Sequence, residues 1–201
     1  MGVILRGCLL SGGMDSLALA FMVKPDFAFN IDYGQKCSRA ERRASREFCR
    51  NTGIPLVELD IDCSCIGSGD LNGTEPASVA PKSDWWPFRN QLLITLCAAK
   101  AIEVGCSKLD IGTVCSDEYH VDGSSKFIEK MNDLLSLQEG GISLDAPAIH
   151  MTTVELVQRS QIPFDLLALS HSCHKANIPC TNCRGCNKHY SCLKDLGYCN
   201  G

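Results

Sequence analysis

Residues 11–16, with the sequence SGGMDS, combine residue types that could bind a phosphate group. Glycines let the backbone approach a phosphate closely, Ser11 and Ser16 offer hydroxyl donors, and free N–H groups at a helix start attract anionic oxygens. The stretch therefore predicts a pyrophosphate cradle in which Asp15 caps the helix or holds Mg²⁺. It has neither the lysine of a Walker A loop nor the GxGxxG of a dinucleotide fold, which disfavours γ-phosphate transfer and NAD binding. A plain strand-to-helix turn is the alternative interpretation.

Four cysteines near the C-terminal end have the spacing C-x6-C-x2-C-x2-C, and they are Cys173, Cys180, Cys183 and Cys186. Four thiolates this close in sequence can surround Zn²⁺ as a tetrahedron, and an all-cysteine set predicts a closed, structural site. An iron–sulfur cluster is the competing interpretation, but the spacing departs from common ferredoxin patterns. Three nearby histidines could substitute as ligands but are expected to lie around the site or on the surface, and they are His171, His174 and His189. Cys192 and Cys199 are not expected to bind the metal.

The composition indicates an ordinary globular protein that acts on a small molecule. The chain has 201 residues, of which 45% are hydrophobic, and its net charge of −4 disfavours direct binding to nucleic acid. No run approaches the roughly 20 apolar residues of a membrane span. The N-terminal segment also lacks the basic start of a signal peptide. We therefore expect a cytoplasmic protein without membrane contact, in which the eight cysteines of the first 115 residues are mostly buried apolar groups.

The elements that must position these groups alternate between strand and helix patterns, which is typical of a doubly wound α/β fold with a mostly parallel sheet. Strands are predicted over residues 3–10, 27–32, 54–61 and 109–114. Helices are predicted over residues 15–22, 38–50, 89–104, 126–137 and 153–160. Residues 62–87 are predicted to form a mobile flap and residues 138–143 a second flexible stretch. We expect one packed domain with a nucleotide-binding part, residues 1–170, and a zinc-binding segment, residues 171–201.

The SGGMDS stretch resembles the PP-loop signature S-G-G-x-D-S of enzymes that split ATP between its α- and β-phosphates. Together with the four cysteines, it resembles the 7-cyano-7-deazaguanine synthase (QueC) family, whose fold is of the adenine nucleotide alpha hydrolase type. Other matches follow in order: IDYGQ at 31–35 for the family's F-D-Y-G-Q, WPFRNQ at 86–91 for V-P-A-R-N-T, IGTV at 111–114 for I-G-V-N, and HSCH at 171–174 for W-S-C-Y. The resemblance covers nearly the whole chain.

The resemblance implies a ligase that adenylates the carboxylate of 7-carboxy-7-deazaguanine. Ammonia would then give the amide and, after a second adenylation, the nitrile. The implied cofactors are ATP, Mg²⁺ and Zn²⁺, and the resemblance also suggests a homodimer.

The resemblance carries over onto particular residues of this sequence. Catalytic roles are implied for Ser11, Asp15, Ser16 and Arg89. Binding of the nucleotide or substrate is implied for Ser11, Gly12, Gly13, Asp15, Ser16, Asp32, Tyr33, Gln35, Asn90 and Gly112. Arg89 would lie near a phosphate or the carboxylate, and Asn90 would offer amide hydrogen bonds to a heterocycle.

Some stretches depart from the family pattern. Residues 116–124 match the family's D-Y-S-G-Y-P-D-C-R only loosely, at Asp117, Tyr119 and Asp122, and residues 151–155 lack the lysine of S-K-x-E. These departures motivate an alternative, a QueC-like enzyme of an anti-phage operon that joins the activated deazaguanine to another amine, including one on a protein. Two further alternatives are a tRNA-thiolating PP-loop enzyme and a non-catalytic zinc module.

Overall fold

The computed structural model describes residues 4–117 and 120–199, and a five-stranded parallel sheet lies at its centre. The strands are β1 (Leu5–Leu9), β2 (Phe27–Asp32), β3 (Leu56–Asp60), β4 (Cys106–Asp110) and β5 (Ser143–Asp145). Their order is β3-β2-β1-β4-β5, and every neighbouring pair is parallel. The strand order reverses beside β1, and ligands of open α/β sheets bind at such a switch point. The predicted fold class is confirmed.

Helices cover both faces of the sheet. They are α1 (Met14–Val23), α2 (Ser38–Thr52), α3 (Gly69–Asn72), α4 (Arg89–Glu103), α5 (Ser125–Ser136), α6 (Thr153–Ser160), α7 (Phe164–Leu167) and α8 (Arg184–Asp195). One core packs α4 and α5 on the sheet, and a second packs α1, α2 and α6 on the opposite face. Along β1, Cys8 belongs to the second core and Leu9 to the first, as strand alternation requires. Within the described ranges, no helix has the length and apolarity needed to cross a membrane.

Two strands differ from the sequence prediction. β4 begins at Cys106 and ends at Asp110, so most of the predicted range 109–114 lies beyond the sheet and forms the approach to the site. β5 has three residues and begins at Ser143, the last residue of the glycine-containing stretch predicted to be flexible. A strand of three residues is too short to show a hydrophobic period.

The predicted mobile flap, residues 62–87, contains buried side chains near both of its ends, whereas residues 73–79 and 81–83 between them are exposed. Leu71 and Trp86 belong to the first core, each 2% exposed, and the Trp86 ring lies edge-on to Tyr33 with 4.9 Å between centroids. The segment also contains a 3-10 turn, Ser64–Ile66, and helix α3. Its buried residues are isolated among polar ones, so no periodic pattern reveals them.

Replacing Trp86 with alanine should destabilise the protein by about 3–5 kcal/mol, because it removes a fully buried aromatic side chain from the core. Denaturant unfolding would measure the change. Trp85 provides the control, since its side chain is only partly buried and lies next along the chain. Alanine there should cost clearly less. Equal, small effects at both positions would show that the segment behaves as a loose flap.

Candidate functional site

The phosphate-binding loop predicted from sequence, residues 11–16, connects β1 to α1 at the carboxyl end of the sheet. Gly12 has a left-handed backbone with φ of +82°, and a Cβ placed there would lie 2.3 Å from the backbone oxygen of Glu41 in α2. Only glycine fits, because any side chain would push α2 away from the loop. The loop is therefore held tightly against the start of the neighbouring helix.

The two loop hydroxyls are oriented by hydrogen bonds within the loop. The Ser16 hydroxyl donates to the Gly13 carbonyl at 2.9 Å. The Ser11 hydroxyl in turn donates to the Ser16 hydroxyl oxygen at 3.2 Å. The N-cap of α1 is Gly13, which has no side chain to cap the helix. Asp15 lies two residues later, within the first helical turn, and is therefore not the helix cap. Backbone N–H groups at such a helix start attract anionic oxygens. The local geometry suits a phosphate group.

A cleft of about 250 Å³ opens beside this loop. Eight of the residues predicted from sequence to act at the site line this cleft, and they are Ser11, Gly13, Asp15, Ser16, Tyr33, Arg89, Asn90 and Gly112. They come from the ends of β1, β2 and β4 and from the first turns of α1 and α4. Residues far apart in the chain therefore meet at the switch point of the sheet.

Three other predicted residues, Gly12, Asp32 and Gln35, are not among the cleft-lining residues. The Gln35 side chain is buried, accepts from the Tyr33 N–H at 2.9 Å and donates to a Glu41 carboxylate oxygen at 2.7 Å. Asp32 accepts from the Gly34 N–H at 3.0 Å. These hydrogen bonds shape the turn that carries Tyr33 into the cleft.

Tyr33 and Arg89 face the cleft together. Burial raises the pKa of Tyr33 above its usual range, although the neighbouring Arg89 charge acts in the opposite direction. The Tyr33 hydroxyl therefore stays protonated at neutral pH and is a hydrogen-bond donor. Burial acts to lower the pKa of Arg89, but the groups around it, Tyr33 and Asp122 first, raise it overall. Arg89 is accordingly a permanent positive charge in the cleft.

Asn90 holds a neighbouring turn in place. Its backbone N–H donates to the Asp122 carboxylate at 3.1 Å, and its side-chain amide donates to the Asp122 carbonyl at 3.0 Å. These bonds fix the 3-10 turn Val121–Gly123 against α4. Of the loosely matching residues nearby, Asp117 ends the 3-10 turn Cys115–Asp117, whereas Tyr119 lies outside the described residues.

One wall of the cleft is polar and was not predicted from the sequence. It contains Glu41, Asp84, His120, Thr153, His171, His174, Arg184, Lys188 and His189. Helix α8 contributes the last three of these, and no helix was predicted there because polar residues and cysteines dominate it. The spacing of Arg184 and Lys188, four residues apart, was the available signal that both lie on one helix face.

Asp84 is the centre of a buried charge cluster in this wall. It is 1% exposed, and its carboxylate lies 2.9 Å from the Arg184 guanidinium and 3.2 Å from His174 Nδ1. His120 Nε2 lies 2.9 Å from the same guanidinium nitrogen. Burial alone would raise the pKa of Asp84, but the neighbouring His120 and His174 side chains and the Arg184 charge hold that pKa well below its usual range. The ionised Asp84 ties three segments of the chain together.

The four cysteines predicted to bind a metal lie beside this cluster. Their sulfur atoms lie within 4.8 Å of one another, with Cys173 and Cys183 3.9 Å apart and Cys180 and Cys186 4.0 Å apart. Tetrahedral zinc with bonds of about 2.3 Å separates its sulfur ligands by ~3.8 Å. The four thiolates could therefore hold zinc with little movement.

The backbone around the cysteine group supports this arrangement. The Cys183 sulfur accepts from the N–H groups of His174 and Cys186, each at 3.4 Å. Hydrogen bonds from backbone N–H groups, that of Asn182 first, lower the pKa of Cys180 to about 6. A Cβ at Gly185 would lie 1.8 Å from the Ser172 carbonyl, so glycine is needed where α8 packs on this segment. Cys192 and Cys199 are not part of the group.

The fold and site define a PP-loop-like α/β protein with a C-terminal four-cysteine cluster. The chain matches the family described as "Queuosine biosynthesis protein QueC" over residues 7–197, and it belongs to that family. It is 30% identical to the 7-cyano-7-deazaguanine synthase of Caldicellulosiruptor bescii, over 94% of this chain and 92% of that one. It is 28% identical to the enzyme of the same name from Campylobacter concisus, over 89% of each chain.

A solved structure shares the fold. It is the U34-tRNA thiolase NcsA from Methanococcus maripaludis with its [4Fe-4S] cluster, with a TM-score of 0.54 and 19% identity. The match covers 96% of this chain, which spans 65% of the thiolase. At this identity the likeness concerns the fold alone.

Proposed function

We propose that the protein adenylates the carboxylate of 7-carboxy-7-deazaguanine with ATP and converts it with ammonia to the amide and then to 7-cyano-7-deazaguanine. The observation that carries this proposal is that the SGGMDS loop, residues 11–16, lines the cleft in a chain that belongs to the QueC family. The location is proposed to be cytoplasmic and the active form a homodimer.

At each of the two steps, an oxygen of the substrate must first be converted into a good leaving group. A carboxylate resists attack by ammonia because its oxygen is a poor leaving group, so it first attacks the α-phosphorus of ATP and releases pyrophosphate. Ammonia then displaces AMP and forms the amide. Activation of the amide oxygen by a second ATP allows AMP to leave again, and loss of the nitrogen's protons gives the nitrile. Holding the reactants side by side supplies much of the acceleration.

The residues of the loop suit the phosphates of ATP. The hydroxyls of Ser11 and Ser16 and the N–H groups at the start of α1 would bind phosphate oxygens and stabilise the departing pyrophosphate. Mg²⁺ commonly binds one or two carboxylates together with substrate phosphates, and Asp15 in the first turn of α1 fits that pattern. When bound, Mg²⁺ would neutralise charge on the leaving pyrophosphate.

Other residues that line the cleft suit an organic acid. Arg89 supplies a permanent positive charge for the carboxylate or a phosphate, and the protonated Tyr33 hydroxyl can donate a hydrogen bond. Asn90 would act on the heterocycle through the amide oxygen that its contacts with Asp122 orient. Zinc held by the four cysteines would serve structure, since a closed all-thiolate site leaves no position for substrate.

A thiolation function is less well supported by the cleft. Thiolation in which cysteine side chains carry the sulfur needs reactive thiolates near the substrate. Among the residues described, Cys192 is the one cysteine that lines the cleft, and burial raises its pKa above the usual range. We therefore retain amide and nitrile formation as the proposed reaction.

Incubating the purified protein with 7-carboxy-7-deazaguanine, ATP, Mg²⁺ and ammonia, followed by mass analysis, tests the proposal. We expect the amide and the nitrile with release of pyrophosphate. Activated acid that appears only as an adduct with another amine would support the diverged ligase of anti-phage operons instead. Absence of pyrophosphate release with any deazapurine acid would contradict both and favour a non-catalytic zinc module.

A further inference from the structure

Helix α8 places a lysine at the phosphate-binding loop. Lys188 Nζ lies 2.9 Å from the Asp15 carboxylate, which belongs to the first turn of α1. The two residues are 173 positions apart in the chain, so folding alone creates the contact. Both line the same cleft as Ser11 and Ser16. The contact therefore brings a positive charge to the place where phosphates are proposed to bind.

Residues 11–16 supply no positive charge of their own for binding phosphates. Residues 11–16 contain one carboxylate and no basic residue, so the loop's own side chains would repel a polyphosphate. The lysine side chain is 28% exposed, which leaves it accessible from the cleft while its contact with Asp15 limits its freedom. Arg184, the other basic residue that α8 brings to the cleft, is held by Asp84 and His120 instead.

The structure fixes α8 on both sides of Lys188. Before it, Cys183 and Cys186 belong to the four-cysteine group, and Arg184 is paired with the buried Asp84. After it, Cys192 packs in the core beside α1 and α6. A lysine carried on such a well-anchored helix is positioned in advance, which lowers the entropy lost when it binds an anion.

We infer that Lys188 is the cation that binds the pyrophosphate portion of ATP at this loop. This inference rests on the proposed function and adds a residue outside the sequence motif. Lys188 bridges the Asp15 carboxylate and the phosphate oxygens, so it offsets the repulsion between them and stabilises pyrophosphate as it leaves. The four-cysteine segment thereby supports nucleotide binding indirectly, through the helix that it anchors.

Binding of magnesium α,β-methylene-ATP, which cannot be cleaved between its α- and β-phosphates, tests the inference by calorimetry. Lys188→Met should weaken binding about 10- to 100-fold, the value of one charge-assisted hydrogen bond. Lys188→Arg should recover most of the affinity. The matched control is Lys194→Met on the exposed side of the same helix, which should bind like the unaltered protein. Unchanged affinity in a folded Lys188→Met variant would overturn the inference.

A second measurement needs no variant. An amine-reactive label applied with and without the same nucleotide, followed by peptide mass analysis, should show several-fold protection of Lys188 and none of Lys194. Equal labelling of Lys188 in both samples, in protein that binds the nucleotide, would overturn the inference and leave the proposed function intact. If the unaltered protein does not bind the nucleotide at all, the proposed function fails first and the inference fails with it.

Discussion

Replacing Gly12 with alanine is expected to reduce pyrophosphate release by at least about 100-fold, a loss typical of removing a preorganised charge-stabilising group. The backbone there has φ of +82°, and the added methyl group would lie 2.3 Å from the Glu41 carbonyl. Relief of that clash must move the loop relative to α2 and displace Ser11 and Ser16 from the phosphates. Pyrophosphate release with ATP and 7-carboxy-7-deazaguanine measures the effect.

Gly53→Ala is the matched control for backbone strain. Gly53 also has a left-handed φ, of +73°, but nothing lies within 4 Å of an added Cβ. It ends α2 far from the loop in sequence, so alanine should cost about 1 kcal/mol of stability and leave activity intact. If Gly12→Ala retained activity within a few-fold of Gly53→Ala, the tight loop would not be needed for the reaction.

Replacing Cys183 with serine is expected to lower the free energy of unfolding by several kcal/mol and to release the metal, because metal binding and folding are coupled at structural sites. Cys183 is 2% exposed and also accepts two backbone hydrogen bonds, so its loss disturbs the start of α8 as well. Elemental analysis and thermal unfolding would measure both effects. We expect about one zinc per chain in the unaltered protein.

Cys199→Ser provides the comparison for this variant, since Cys199 is partly exposed and outside the four-cysteine group. It should retain the metal and the stability of the unaltered protein. A Cys183→Ser protein that had lost its metal and still unfolded at the normal temperature would contradict the proposed structural role. Iron with acid-labile sulfide in place of zinc would instead establish the iron–sulfur interpretation.

The sequence predicted the parts of the site that depend on local pattern. The loop residues Ser11 and Ser16 and the four cysteines are close in sequence, and their types and spacing were enough to predict that they would be grouped in the structure. Arg89 and Asn90 were found through a motif that begins a strongly periodic helix. The α/β fold was predictable for a similar reason, since β1, β2 and the longer helices have clear hydrophobic periods.

The remaining residues of the site are brought together by contacts between segments that are distant in the chain. Asp84 lies in a stretch without periodicity, and only its burial against Arg184 and His174 reveals its role. Lys188 reaches Asp15 from the far end of the chain. Such pairings follow from how α8 packs beside α6 and the rest of the protein, and no local pattern encodes that packing.

In the proposed reaction, an oxygen of the organic acid attacks the α-phosphorus of ATP bound at the loop. Substrate labelled with ¹⁸O in both carboxylate oxygens tests it directly, because adenylation passes a carboxylate oxygen to AMP. The first AMP should carry one ¹⁸O and leave one in the amide, and the second AMP should carry that remaining label as the nitrile forms. Unlabelled AMP, or ADP and phosphate in its place, would contradict the account.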